Sequence, residues 1–282
     1  TGFALPPLLL ISLASLGLVT LRKGAREGLL VMAGCAALFV TMALVTTQSV
    51  RADLIVLVIL WLMAWLVALV YRTMSTPAWM INSVGLIGMV GVIGFYLLVP
   101  DPAAFWLVLL EQHIKPVFVE QQLLANNEEL DLLLGMLASV MTGGVAALVS
   151  IVLILSLLLA RWWQAILYNP GGFRQEFYTL RLGKGTAMVL IALLLISLIG
   201  KFAIATDMAT VLWLLYFFQG MAVIHGLIGV TGLSIGWLVS LYLLLIIMPN
   251  YASPVISGLG LVDTLFDFRR RVPRNSKPDV DE

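Results

Sequence analysis

The feature that most restricts this chain is the stretch 132–160, which contains no charged side chain. A helix rises about 1.5 Å per residue, so this stretch alone exceeds the roughly 30 Å hydrocarbon core of a bilayer. Similar apolar runs occupy 28–46, 54–71, 82–99, 186–203, 208–227 and 233–248. Within lipid every backbone N–H and C=O must be paired inside the protein, which leaves helices or closed barrels. Unbroken apolar runs without period-two alternation select helices. Composition agrees, with 61% hydrophobic residues, 11% charged residues and a mean hydropathy of +1.06. A soluble chain of this size needs far more polar cover. The expected fold is all-α: a polytopic transmembrane helical bundle of about eight to nine spans over residues 1–268. A polar, proline-bearing cytoplasmic tail over 269–282 is expected to follow.

Charge orients the spans, because Lys and Arg collect on the cytoplasmic side. Arg22, Lys23 and Arg26 against Glu27, then Arg72, mark inside loops. Arg51 and Asp53 cancel, which suits the outside. The segment 101–131 carries Asp101, Glu111, Glu120, Glu128, Glu129 and Asp131 against Lys115 alone, and is expected to be external. Its apolar residues, broken at Pro116, predict an amphipathic hairpin or lateral helix pair. His113 and Glu111 are two apart and diverge on a helix, so they read as solvated side chains rather than metal ligands. The first apolar run, 8–21, is short and preceded by Pro6-Pro7. This predicts a longer helix broken or kinked at the prolines, with native sequence upstream of Thr1.

The most distinctive stretch is 161–185, RWWQAILYNPGGFRQEFYTLRLGKG. Arg161, Arg174, Arg181 and Lys184 outnumber Glu176, and aromatic residues crowd among them. Asn169-Pro170-Gly171-Gly172 is a strong breaker. Phe173, Phe177 and Leu180 then recur at helical spacing, which predicts a short amphipathic surface helix. A cytoplasmic helix pair is expected around the turn, with Trp162, Trp163, Phe173 and Phe177 as anchors. Arg174, Arg181, Arg269, Arg270 and Arg271 would face a partner or anionic lipid.

Ionisable groups inside a membrane are costly and few. Asp263 and His225 are expected at similar depth, where a mutual hydrogen bond or ion pair would satisfy both. Gln219 is expected to bond between helices. Gly85, Gly88, Gly91 and Gly94, one every third residue, predict close approach of a neighbouring helix. A candidate ligand pocket near the external span ends would use Gln48, Arg51, Tyr96, Asp207, Trp213, Tyr216, Tyr242 and Tyr251. Aromatic residues with a few charges suit a small polar ligand. Cys35, the single cysteine, reads as a small buried hydrophobe. The sequence carries no metal-ligand spacing, P-loop or hydrolase elbow. The expectation is therefore no cofactor, no metal and no catalysis by this chain. A net charge of +1 gives no reason to expect nucleic acid as a partner.

The run ARWWQAILYNPGGFRQEFYTLRLGKG, the later GMAVIHGLIG with His225, and the final GLGLVDTLFDFRRR together resemble the YybS-like family of bacterial integral membrane proteins, a domain of unknown function. The resemblance runs from about Leu21 to Arg271. That family is grouped with the substrate-binding S components of energy-coupling-factor vitamin transporters, which usually have six spans. The resemblance implies a bacterial inner-membrane protein that captures a small molecule near the outer face and meets a partner on the inner side. The alternative is a non-transporting scaffold or accessory subunit that docks its partner through the basic and aromatic cytoplasmic platform.

Overall fold

In the computed structural model, residues 5–46, 51–120, 127–267 and 269 are described. Every regular element among them is a helix, and there are twelve. They are α1 (Leu5–Lys23), α2 (Ala25–Thr46), α3 (Arg51–Met74), α4 (Pro77–Leu98), α5 (Pro102–His113), α6 (Lys115–Glu120), α7 (Asn127–Tyr168), α8 (Gly172–Tyr178), α9 (Lys184–Gly200), α10 (Ala203–Thr231), α11 (Gly236–Ile247) and α12 (Pro249–Phe266). Among the described residues, Leu54–Met74, Pro77–Leu98, Glu128–Tyr168 and Ala203–Thr231 are long and apolar enough to cross a membrane. Two other apolar runs are cut short. α9 is bounded by Gly183 and Lys201, both at positive φ, and has 17 residues. α11 has 12, ending where Met248 and Pro249 start the next helix. By length and hydropathy, four long helices and two shorter apolar ones stand out among the described residues.

Packing divides the chain into two units. The first comprises Thr1–Val84, Val152–Ala187 and Leu215–Glu282, the second Gly85–Ile151 and Met188–Leu214. In the first unit α1, α2 and α3 pack on one another. Pro6 and Pro7 lie in the first described turn of α1. Gly24, at φ +108°, turns the chain into α2 in a conformation that side chains resist. Arg72 on α3 donates to the carbonyls of Leu21 at 2.8 Å and Thr20 at 3.3 Å, capping the open end of α1. The indoles of Trp61 and Trp65 donate to Ser12 Oγ and to the Ala25 carbonyl, both at 3.0 Å. α10 and α12 approach backbone to backbone. A Cβ at Gly220 would strike the carbonyl of Ile256, and one at Gly260 would strike the carbonyl of Tyr216. Only glycine permits that spacing, and in lipid close contact is the main source of helix association.

In the second unit Asp101 caps α5 by accepting from the Ala104 N–H at 3.0 Å, with Pro102 just inside the helix. No residue of α5 is buried, as befits a helix lying on a surface. It packs against α6, and Lys115 pairs with Asp131 at 2.5 Å. Phe105 and Trp106 both meet Phe95, and the Trp106 indole donates to Thr142 Oγ1 at 2.9 Å. The glycine stripe of α4 is used in its first half, where Gly85 is buried. A Cβ on Gly88 would lie 2.8 Å from Val211 and 3.0 Å from Ser150, whereas Gly91 and Gly94 face open space. The expected packing along the stripe is thus corrected at Gly91 and Gly94 only. A three-residue repeat advances about 300° on a helix, so its members drift away from a single facing helix. Gly143 of α7 lies against the backbone of Asp207.

Candidate functional site

The polar machinery of the first unit is built around 161–185. Arg161 to Tyr168 are not a separate surface helix, as the sequence suggested, but the last turns of α7. The α-helix continues because nothing before Asn169 breaks it. Gly171, at φ +84°, makes the turn, and the Gly172 N–H closes it onto the Asn169 carbonyl at 3.0 Å. α8 then returns, as expected of an amphipathic helix.

The two faces of α8 differ. On one, Glu176 receives a two-pronged contact from Arg161. The Arg161 Nε donates to Oε2 at 2.9 Å, and Nη2 pairs with Oε1. The Tyr71 hydroxyl also donates to Oε2, at 2.8 Å. A fork-to-carboxylate contact with a third donor fixes geometry as well as charge. This cluster borders a polar cavity of about 280 Å³ shared with Arg72, Ser75, Gln164 and Asn169. On the other face Phe173 and Phe177, one turn apart, stack with ring centroids 6.1 Å apart. They line an apolar cavity of about 440 Å³ with Leu155, Phe217, Met221 and Leu245. Arg174 and Tyr178 sit at the same cavity, joined by an Arg174 Nε to Tyr178 hydroxyl bond of 2.8 Å.

After α8 the chain runs without helical hydrogen bonds, so side chains must satisfy its backbone. Arg269 donates to the carbonyls of Tyr178 at 2.6 Å and Leu180 at 2.7 Å. Gln219 accepts from the Leu182 N–H at 2.9 Å and donates to the Gly260 carbonyl and Thr264 Oγ1, both at 2.8 Å. Asn82 donates to the Leu182 carbonyl at 3.0 Å. Leu180 and Leu182 are buried between these bonds. The connector is therefore pinned at three consecutive alternating positions.

Two expectations about charge are corrected here. His225 and Asp263 do not pair. Asp263 is fully buried and accepts from Arg269, with Nη2 at 2.8 Å and Nε at 3.2 Å. His225 is six residues beyond Gln219, roughly one and two-thirds turns, and so leaves α10 on another face. There its Nδ1 meets the Met221 carbonyl at 2.8 Å and its Nε2 the Tyr242 hydroxyl at 3.1 Å. One tautomer satisfies both. Nor are all the platform arginines free. Arg181 is committed to Asp267, whose carboxylate holds the guanidinium above its ordinary pKa. Arg269 is committed to Asp263 and two carbonyls. Burial pulls its pKa down, outweighing the nearby carboxylate. Arg174 remains exposed, as does Trp162, while Trp163 is half-buried. Arg270 and Arg271 lie outside the described residues.

The candidate outer-pocket residues fall in both units. Tyr96 and Asp207 meet in the second unit, where the Tyr96 hydroxyl donates to the buried carboxylate at 2.7 Å. Trp213 belongs to the same unit and is half-buried. Tyr216, Tyr242 and Tyr251 belong to the first unit. Tyr216 is buried in α10, Tyr242 meets His225, and Tyr251 is exposed at the start of α12. Gln48 lies outside the described residues, as does the side chain of Arg51. Among the described residues no group of three or more His, Cys, Asp or Glu is placed to hold a metal.

The family model for predicted membrane proteins designated DUF2232 matches residues 109–264. The chain belongs to the DUF2232 family. The match includes the whole of α8, the turn before it, and His225, so it covers the first two motifs of the YybS-like resemblance and the start of the third. It also includes Gln219, Gly220 and Gly260, so the α10–α12 contact and the pinned connector lie within the DUF2232 region. No curated protein and no solved structure matches the chain.

Sequence reasoning missed the role of Tyr71, read as the end of a span, and the facing pair Gly220 and Gly260. The glycine at 220 directly follows Gln219, an isolated polar residue in an apolar run. That adjacency is the signal of a close, hydrogen-bonded helix crossing.

Proposed function

We propose that this DUF2232 protein is a non-catalytic accessory subunit of the bacterial inner membrane. Its working surface is the end of the first unit bearing 161–185 and Arg269, and this end faces the cytoplasm. The observation that carries this reading is the fate of the acids there. Glu176 is taken by Arg161, Asp263 by Arg269, and Asp267 by Arg181. Arg174 and Lys184 then stand exposed with no acidic partner among the described residues. The result is a rigid, cationic surface carrying exposed Trp162, Ile166 and Tyr168. Rigid aromatic anchors beside arginine are the usual composition of a recognition surface. The positive-inside bias supports the cytoplasmic placement, the tail after Arg269 included.

Photo-crosslinking in cells tests it. A photoreactive residue replacing Ile166 or Gln175 is expected to yield one discrete protein adduct, while the same residue at Leu198, an exposed apolar position on α9, yields none. In a Cys35→Ser background, Gln175→Cys is expected to resist an impermeant maleimide added outside. Labelling from outside, or adducts with lipid alone, would overturn the reading.

A second reading, small-molecule capture of the S-component kind, draws on Tyr96 and Asp207. A buried carboxylate is a costly arrangement in a membrane protein, and such groups default to a functional role. Asp207→Asn is expected to abolish ligand uptake on this reading and to leave crosslinking at position 175 unchanged.

A further inference from the structure

The apolar cavity beside α8 has a composition that the docking surface does not use. It is about 440 Å³, within the range of roughly 300–1,000 Å³ typical of small-ligand sites. Its walls come from α7 and α10, two of the apolar membrane-length helices, and from α8 and α11. Leu155, Phe177, Phe217, Met221 and Leu245 supply aromatic and aliphatic surface only. The polar side chains His225 and Tyr242 in its lining bond to each other, and with His225 Nδ1 on the Met221 carbonyl they keep no free donor for an anion. One charged group remains. Arg174 gives its Nε to Tyr178 and leaves the rest of its guanidinium without an acid among the described residues.

We propose that this cavity holds one acyl chain of an anionic phospholipid, with the lipid phosphate on Arg174. A cavity of this kind in a membrane protein meets acyl chains first, because they are the surrounding solvent. The planar guanidinium then selects the headgroup. Its free N–H donors match phosphate oxygens, and the Tyr178 hydroxyl holds the fork in place. A zwitterionic headgroup offers the same phosphate, but its own cation competes with the guanidinium for that charge, so the net attraction to Arg174 is weaker. A second apolar groove between α10 and α11, about 410 Å³ and bordered by Ile224, Leu227, Leu233, Trp237 and Leu244, has no charged lining residue. It serves as an internal contrast, since lipid there has no headgroup to choose. The inference depends on the membrane setting alone, so it survives failure of the docking reading.

Native mass spectrometry of the full chain in mild detergent, titrated with palmitoyl-oleoyl phosphatidylglycerol or the matching phosphatidylcholine, is the test. One phosphatidylglycerol per chain is expected to persist at collision energies that strip phosphatidylcholine. Arg174→Gln, a surface change, is expected to cut that preference roughly fivefold, the effect of one basic residue near anionic lipid. Arg174→Lys is expected to keep most of it. Leu245→Trp, filling the cavity, is expected to remove the retained lipid, with helix content checked by circular dichroism. Equal retention of the two lipids by the native chain would overturn the proposal. So would an undiminished preference in Arg174→Gln, or a polypeptide found in the cavity's place.

Discussion

Replacing Arg269 by methionine removes a guanidinium that serves three acceptors at once: the Asp263 carboxylate and the carbonyls of Tyr178 and Leu180. Asp263 has no exposure to solvent, and the Arg269 side chain has 12%. Screening by water is therefore slight, and the change strands a buried charge. Breaking a buried pair from one side costs about 3–5 kcal/mol. Each carbonyl left without a donor adds roughly 1–3 kcal/mol, reduced to the extent that water reaches it. Arg269→Met should thus rank among the most damaging single changes in the chain. Asp263→Leu/Arg269→Met removes the stranded charge as well and should recover at least about 2 kcal/mol of the loss, leaving the carbonyl part. Arg269→Lys should fall between, since an ammonium lacks the fork that reaches all three acceptors. Equilibrium unfolding in mixed micelles, read by tryptophan fluorescence for all four chains, measures the series. If the double variant is no more stable than Arg269→Met, the carboxylate is not what Arg269 holds, and the reasoning fails.

Three further outcomes follow from the packing. Gly220→Ala puts a methyl onto the Ile256 carbonyl and should destabilise by about 1–3 kcal/mol or more, whereas Gly144→Ala, which meets open space, should be close to neutral in the same unfolding assay. Gly88→Leu should lower the thermal midpoint in detergent well below that of Gly91→Leu. Equal midpoints would mean that Val211 and Ser150 do not pack against Gly88. Tyr96→Phe removes the donor to a buried carboxylate and should cost roughly 1.5–3 kcal/mol, while Tyr96→Phe/Asp207→Leu should be milder than Tyr96→Phe alone.

Sequence pattern carried the helical membrane fold and the strangeness of 161–185, because both are local. Apolar runs and a Pro-Gly-Gly breaker act within a few residues of themselves. The α8 helix was legible for the same reason. Which arginine meets which acid was not legible, since the separations follow no rule: Arg269 reaches back 6 positions to Asp263, Arg161 reaches 15 ahead to Glu176, and Arg181 spans 86 to Asp267. The His225–Asp263 expectation used depth alone and ignored rotation about α10. The glycine stripe of α4 stood out by regularity, yet the decisive close approach lies at Gly220 and Gly260. There each helix contributes a single glycine to the crossing, so neither sequence segment shows a repeat.

The bond from Arg269 back to residues 178 and 180 also sets an order of events. A chain made from its N-terminus inserts α7 and α8 long before position 269 is polymerised. Until then the carbonyls of Tyr178 and Leu180 and, once made, the carboxylate of Asp263 lack their donor. The polar end of the first unit can reach its final form only after position 269 has been made. A nascent chain stalled before Arg269 would hold its spans but keep this end open.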